Sequence, residues 1–197
     1  MAQLGRREDS HMIGKLLGLP ELDIGFAQTE AEREACYAVR YQVYVEEQRR
    51  GLQKADHARK LECNADDASG LLMYVRSNGT IVGTLRLHHG SDTGIPPFAR
   101  EAFALPDEPA ALQHVAAVGR LAIAAEHRGS RATIALLRAA FDWLNTAPRS
   151  TQQIYILALD VPKLIAMYRM LGFKELQPER RYMTDLGETV PMAYVKS

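Results

Sequence analysis

The chain has only two cysteines, one tryptophan, no net charge and no long apolar run, and each shortage removes a class of protein. Cys36 and Cys63 lack metal-ligand spacing and no signal-peptide pattern precedes them, so neither a disulfide scaffold nor a zinc module is expected; reduced, unpaired thiols in a cytoplasmic protein are. Lys plus Arg and Asp plus Glu each number 24, so no whole-molecule field draws the chain to nucleic acid, and no nucleic-acid partner is expected. No apolar stretch approaches the roughly 18 residues of a membrane span, and no repeat, heptad seam or low-complexity tract stands out. His88 and His89 do not make a metal site, because neighbours on a strand point to opposite faces. No metal and no prosthetic group are expected.

What remains is 197 residues, 47% of them hydrophobic, enough for the core of a single domain and short for two. Residues 1–20 read as a poorly ordered segment in which "MIGKLLGLP" is able to pack as a short helix; residues 21–197 read as the domain. "ELDIGFAQ" (21–28) alternates as a first strand. Thr29 and Glu32 have capping-box spacing, and a helix with one buried face is expected from there to about Glu46 or Gln48. "GLLMYVR" and "IVGTLRLHH" flank an Asn-Gly turn and predict a hairpin. A proline-bearing insertion (91–113) has room for one short helix around Phe98 to Phe103. "HVAAVGRLAIA" (114–124) and "QIYILAL" (153–159) read as buried strands. Between them a helix from Arg131 to Asn145 is expected to bury Ile134, Leu137, Ala140, Phe141 and Leu144, with Trp143 as core. A helix from Pro162 to Leu171 ends at Gly172, and "FKELQ" and "TVPMAYVK" close the chain as strands. The fold class is α/β (α+β), a single-domain mixed sheet flanked by helices.

The loop after the central strand, "EHRGSRATIALL" from Glu126 to Leu137, opens a helix whose first amides and dipole favour an anion. Arg128, Gly129, Ser130, Arg131, Ala132 and Thr133 supply guanidiniums, a glycine for close backbone approach and hydroxyls. Phosphate binding and a solvated helix end capped by Ser130 both fit these residues.

The segment from Arg120 to Leu137 resembles the acyl-carrier loop of the GNAT (GCN5-related) N-acyltransferase superfamily, with Arg131 in place of its second glycine. "MYRMLGF" (167–173) is similar to that superfamily's segment after its last helix. "AVRYQVYVEE" (38–47), "CNADDAS" (63–69), "VGTLRL" (82–87) and "GRLAI" (119–123) together resemble acyl-homoserine lactone synthases and long-chain N-acyl amino acid synthases. The resemblance implies a GNAT-like, mostly antiparallel sheet and direct transfer of an acyl group from acyl-CoA or acyl carrier protein to an amine, with an amino acid as the expected acceptor. It places Arg40, Tyr44, Asp67 and Arg86 at the substrate and Arg120 and Tyr168 in the catalytic machinery, Tyr168 at the leaving thiolate; amides of Leu121 to Ile123 are expected at the thioester oxygen. Arg120, an arginine in an apolar strand, needs a carboxylate partner or a place at the acceptor; Asp67 or a carboxylate of the first helix is the partner expected. Ala117 stands where lactone synthases carry an acid, which points to plain N-acyl transfer. Glu46, Glu47, Glu126 and His114 are the candidate bases, with a water chain as the alternative. Two other readings stay open: a small-molecule acetyltransferase using acetyl-CoA, and a carrier-binding or regulatory domain without catalysis.

Overall fold

The computed structural model describes residues 21–196; the expectations for residues 1–20 lie outside them. Strand β1 (Leu22–Phe26) leads to Thr29, whose hydroxyl accepts from the Glu32 amide at 3.2 Å while Glu32 accepts from the Thr29 amide. This capping box starts α1 (Glu30–Arg40). The predicted helix continues to Glu47, but as a π-helical segment (Tyr41–Glu47) in which the consecutive Val43, Tyr44 and Val45 are all buried. An α-helix places successive side chains about 100° apart and would turn one of the three away.

The hairpin of β2 (Leu71–Ser77) and β3 (Thr80–His89) forms as expected. Asn78 (φ 48°) and Gly79 (φ 84°) supply the two left-handed residues of a primed turn. The remaining elements are α2 (Pro97–Phe103), β4 (Val115–Ile123), α3 (Arg131–Asn145), β5 (Gln153–Leu159), α4 (Pro162–Met170), β6 (Lys174–Glu175), β7 (Tyr182–Thr184) and β8 (Gly187–Val195). Sequence reading misses β7, a three-residue strand in a polar stretch.

The sheet order is β1-β2-β3-β4-β5-β8-β6, with β7 also on β8. Among the described strands only β4 and β5 pair in parallel, and only from Val115 to Val118 against Gln153 to Ile156. Beyond that point the two strands separate. α3 and α4 cover one face through Leu136, Ala140, Leu144 and Ile165, and α1 with the π-helical segment covers the other through Cys36, Tyr37, Val39 and Tyr44. The insertion folds back with a small core of its own, Ile95, Ala99 and Leu112 against Val115 and Ala117.

Two expectations about side chains change. Ile134, predicted on the buried face of α3, is 64% exposed; the buried stripe is Ala132, Leu136, Ala140 and Leu144, one residue every four. Trp143 is not fully enclosed: it packs at the margin of the core, with the Arg149 guanidinium 3.8 Å above its ring.

Candidate active site

The centre of the site is a bulge in β4. Thr84 faces Ala122 and Arg86 faces Gly119, so Arg120 and Leu121 together stand opposite Leu85. Arg120 adopts a φ of 54°, a left-handed conformation costly for a residue with a side chain. The extra residue reverses the in-out alternation of the strand. Ala116 and Ile123 therefore face the α3 core, whereas Ala117 and Ala122 face the α1 side.

Two elements hold the bulge. The Tyr44 hydroxyl, on the π-helical segment, donates to the Leu121 carbonyl at 2.8 Å, and burial raises that phenol far above its ordinary pKa. The Arg120 guanidinium donates to Glu62 at 2.8 Å and to both oxygens of Asp185 at 2.8 and 2.6 Å. Its partners are thus not Asp67 or a carboxylate of the first helix. Burial pushes the Glu62 carboxyl up from its usual value against the pull of Arg120, and one Glu62 oxygen has no partner.

Arg40, Asp67 and Arg86 form a second buried network. Asp67 accepts from Arg40 at 2.9 Å and from Arg86 at 3.1 Å, and the Asn64 amide donates to it at 2.8 Å. Burial opposes its ionisation, but the two guanidiniums win and lower its pKa. Arg86 also reaches Asn64 at 2.6 Å and Asp66 at 3.4 Å. Of the four residues placed at the substrate by resemblance, Arg86 lines the cavity beside this network, and Arg40, Tyr44 and Asp67 do not.

That cavity, about 340 Å³, lies on the α1 side of the sheet and is bounded by Asp66, Arg86 and Arg120, by Phe98 and Phe103 of the insertion, and by Tyr155, Tyr182 and Asp185. Lys54 stands at its exposed rim. His88 also borders it, and burial, reinforced by Arg86, takes its pKa down to about 4, so this imidazole is neutral near pH 7. His89 points to the opposite face, beside Trp143. On the α3 side lies a narrower cleft of about 40 Å³ lined by Leu85, Leu121, Leu137, Phe141, Ile156, Tyr168 and Phe173. Val118 and Gly119, where β4 leaves β5, border both spaces.

Tyr168 packs edge-on to Phe173 with ring centroids 5.7 Å apart. Burial raises its phenol to about 12, so it carries its proton throughout the neutral range.

At the loop before α3, Ser130 caps the helix by accepting from the Ala132 amide at 3.1 Å. The Ser130 and Thr133 hydroxyls both donate to the His127 carbonyl, at 2.6 and 3.1 Å, and so shape the loop. Arg128 donates to the Ile123 carbonyl at 3.0 Å and pairs with Glu47. Gly129 takes a φ of 67° and has open space beside it. Arg131 is exposed and has no charged partner among the described residues. With the helix N-terminus, it leaves an anion-favouring surface.

The candidate bases do not reach the site. Glu46 pairs with Lys60, Glu47 with Arg128, and His114 bonds the Arg149 carbonyl. None of these, nor Glu126, lines either space. Sequence reasoning missed Lys54, Glu62 and Asp185. The demand of Arg120 for a carboxylate was a signal for the last two, but their separations of 58 and 65 residues carry no local pattern.

The fold has solved counterparts. The structure of FeeM, an N-acyl amino acid synthase from uncultured soil microbes, superposes with a TM-score of 0.66 at 17% identity, covering 89% of this chain and 91% of that one. BjaI, a CoA-dependent acyl-homoserine lactone synthase, gives 0.64 at 13% identity over 88% and 82%. An acyl-CoA N-acyltransferase from Pseudomonas aeruginosa gives 0.59 at 19% identity over 89% and 99%. These likenesses establish the GNAT fold. Among curated proteins none matches the sequence. The model of the family described as N-acyl amino acid synthase FeeM matches residues 35–194, and the chain therefore belongs to that family and is an N-acyltransferase.

Proposed function

We propose that this enzyme transfers a long-chain acyl group from an acyl thioester, carried by acyl carrier protein or coenzyme A, to the amino group of an amino acid. The observation that carries the reading is that two chemically different spaces share a border at Val118 and Gly119. One is walled by hydrocarbon and suits an acyl thioester. The other is walled by charged and aromatic groups and suits a polar acceptor.

In this reading the phosphate of the carrier lies at the α3 N-terminus beside Arg131, and its pantetheine runs between the separating ends of β4 and β5. The thioester oxygen faces strand amides at the bulge, where Leu121 is fixed by Tyr44. Preorganised donors aimed at a developing oxyanion are worth most in such a dry site. A neutral amine attacks the carbonyl carbon from the acceptor cavity, forming the C–N bond. The C–S bond then breaks, the Tyr168 phenol gives its proton to the departing thiolate, and the proton of the amine leaves to water through the open cavity. Arg120 acts by holding the bulge rather than by touching substrate, because two carboxylates already occupy its guanidinium.

The cleft around Tyr168 has room at rest for only a few carbon atoms, so a long acyl chain requires Leu137 and Phe141 to move apart. The acetyltransferase reading is favoured by the same small volume and is separated by experiment. Purified protein is offered acetyl-CoA, a long-chain acyl-CoA and long-chain acyl carrier protein with pooled amino acids, and products are read by mass. Acyl amino acid from the long-chain donors is the expected result. Acetylated product from acetyl-CoA alone would assign the chain to acetyl transfer, and no product from any donor would overturn both.

A further inference from the structure

The cations of the acceptor cavity are not equivalent. Arg86 is met by Asp66, Asp67 and Asn64, and Arg120 by Glu62 and Asp185. Their side chains are only 4% and 7% exposed. A substrate carboxylate approaching either would have to displace a buried carboxylate already paired, leaving that charge uncompensated. Lys54 borders the same cavity at its solvent rim and has no ion pair or side-chain hydrogen bond among the described residues.

The inner wall is made of paired charges. Arg40, Arg86 and Arg120 are set among four carboxylates, Glu62, Asp66, Asp67 and Asp185, and a fourth guanidinium, Arg33, donates to the Asp67 carbonyl. Asp66 and Asp185 border the cavity itself, and the neutral imidazole of His88 adds no positive charge. The cavity therefore runs from an unpaired cation at its mouth to ion-paired carboxylates and guanidiniums inside, beside Gly119.

We propose that Lys54 anchors the carboxylate of the acceptor amino acid at the mouth of the cavity, so that the amino group is turned inward toward Gly119. The inference rests on the reading of the acceptor as an amino acid. It makes Lys54 a specificity residue for α-carboxylates and removes that duty from the three arginines. The ammonium form is held at the mouth by its own carboxylate and is ready to react once it loses its proton. A lysine suits the task better than a buried arginine pair: a single flexible ammonium at a wet rim binds a carboxylate without a large desolvation cost.

The test compares matched acceptors, each amino acid against its own primary carboxamide, in the full chain with the donor that supports turnover. Wild type is expected to favour the free carboxylate. Lys54→Met is expected to raise the KM for the amino acid about tenfold, leave its kcat within about twofold, and bring the acid-to-amide ratio toward one. Lys54→Arg is expected to restore most of the preference, and Lys54→Glu to reverse it toward the amide. An unchanged ratio in Lys54→Met, or no preference in wild type, overturns the anchor while leaving acyl transfer standing. If no acceptor is acylated, the transfer reading fails on its own; calorimetric binding of the same pairs to wild type and Lys54→Met then decides the anchor, and equal binding of acid and amide would refute it.

Discussion

Tyr168 and Asp67 carry opposite duties. Tyr168 has an apolar setting and a phenol whose pKa is lifted to about 12 by burial alone, which keeps it a proton donor at any pH the protein would meet. Tyr168→Phe removes the proton and keeps the ring against Phe173, so kcat for acyl transfer should fall on the order of 100-fold with donor KM little changed. Because the phenol is protonated below its raised pKa, the wild-type rate should show no alkaline loss from this group up to about pH 11, measured as a pH–rate profile. Asp67 never reaches the cavity. It neutralises Arg40, whose side chain is 0% exposed, and shares Arg86 with Asp66. Asp67→Ala leaves buried guanidiniums without a counter-charge and should cost about 3–5 kcal/mol in denaturant unfolding. "CNADDAS" pointed to this residue through resemblance, yet its place in the buried network depends on how the 3₁₀ turn at Ala65–Ala68 packs under β3, which no local pattern encodes.

At the scale of elements, period and cap chemistry were legible. The capping box of α1, the Asn-Gly hairpin, α3 and β5 lie where the sequence placed them, because each is set by local turn residues or by a long apolar period. The two departures, the π-helical Tyr41–Glu47 and the bulge at Arg120, are tertiary. The first is tied to the wide apolar sector needed under the sheet, and the second to the ion triad that holds Arg120 from 58 and 65 residues away. The face of α3 is a third case. A helix with apolar residues on more than one side reads ambiguously, and the sheet selected Leu136 over Ile134. Leu136→Ala should destabilise the protein by about 2–5 kcal/mol, whereas Ile134→Ala should change stability by less than about 0.5 kcal/mol. Equal losses in thermal or denaturant unfolding would put Ile134 back in the core.

At the scale of the whole molecule, the sheet does the positioning. Four parallel pairs join its halves, after which β4 and β5 part, and the separation places a hydrocarbon cleft on the α3 side next to a charged cavity on the α1 side. The family match over residues 35–194 and this geometry rest on different observations and agree on N-acyl transfer. The sequence carried the two strands but not their divergence, since pairing that stops at Val118 leaves no mark on strands that, Arg120 apart, stay apolar through Ile123 and Leu159. Gly119 lies at the shared border, and a Cβ added there meets nothing within 4 Å. Gly119→Val therefore places a branched side chain, well suited to a strand, at a position where its Cβ meets no protein atom. The decisive measurement is the rate of acyl amino acid formation by Gly119→Val beside its thermal midpoint. The expected result is an unchanged midpoint with product formation reduced at least about 100-fold; formation at the wild-type rate would contradict transfer at the border of the two spaces.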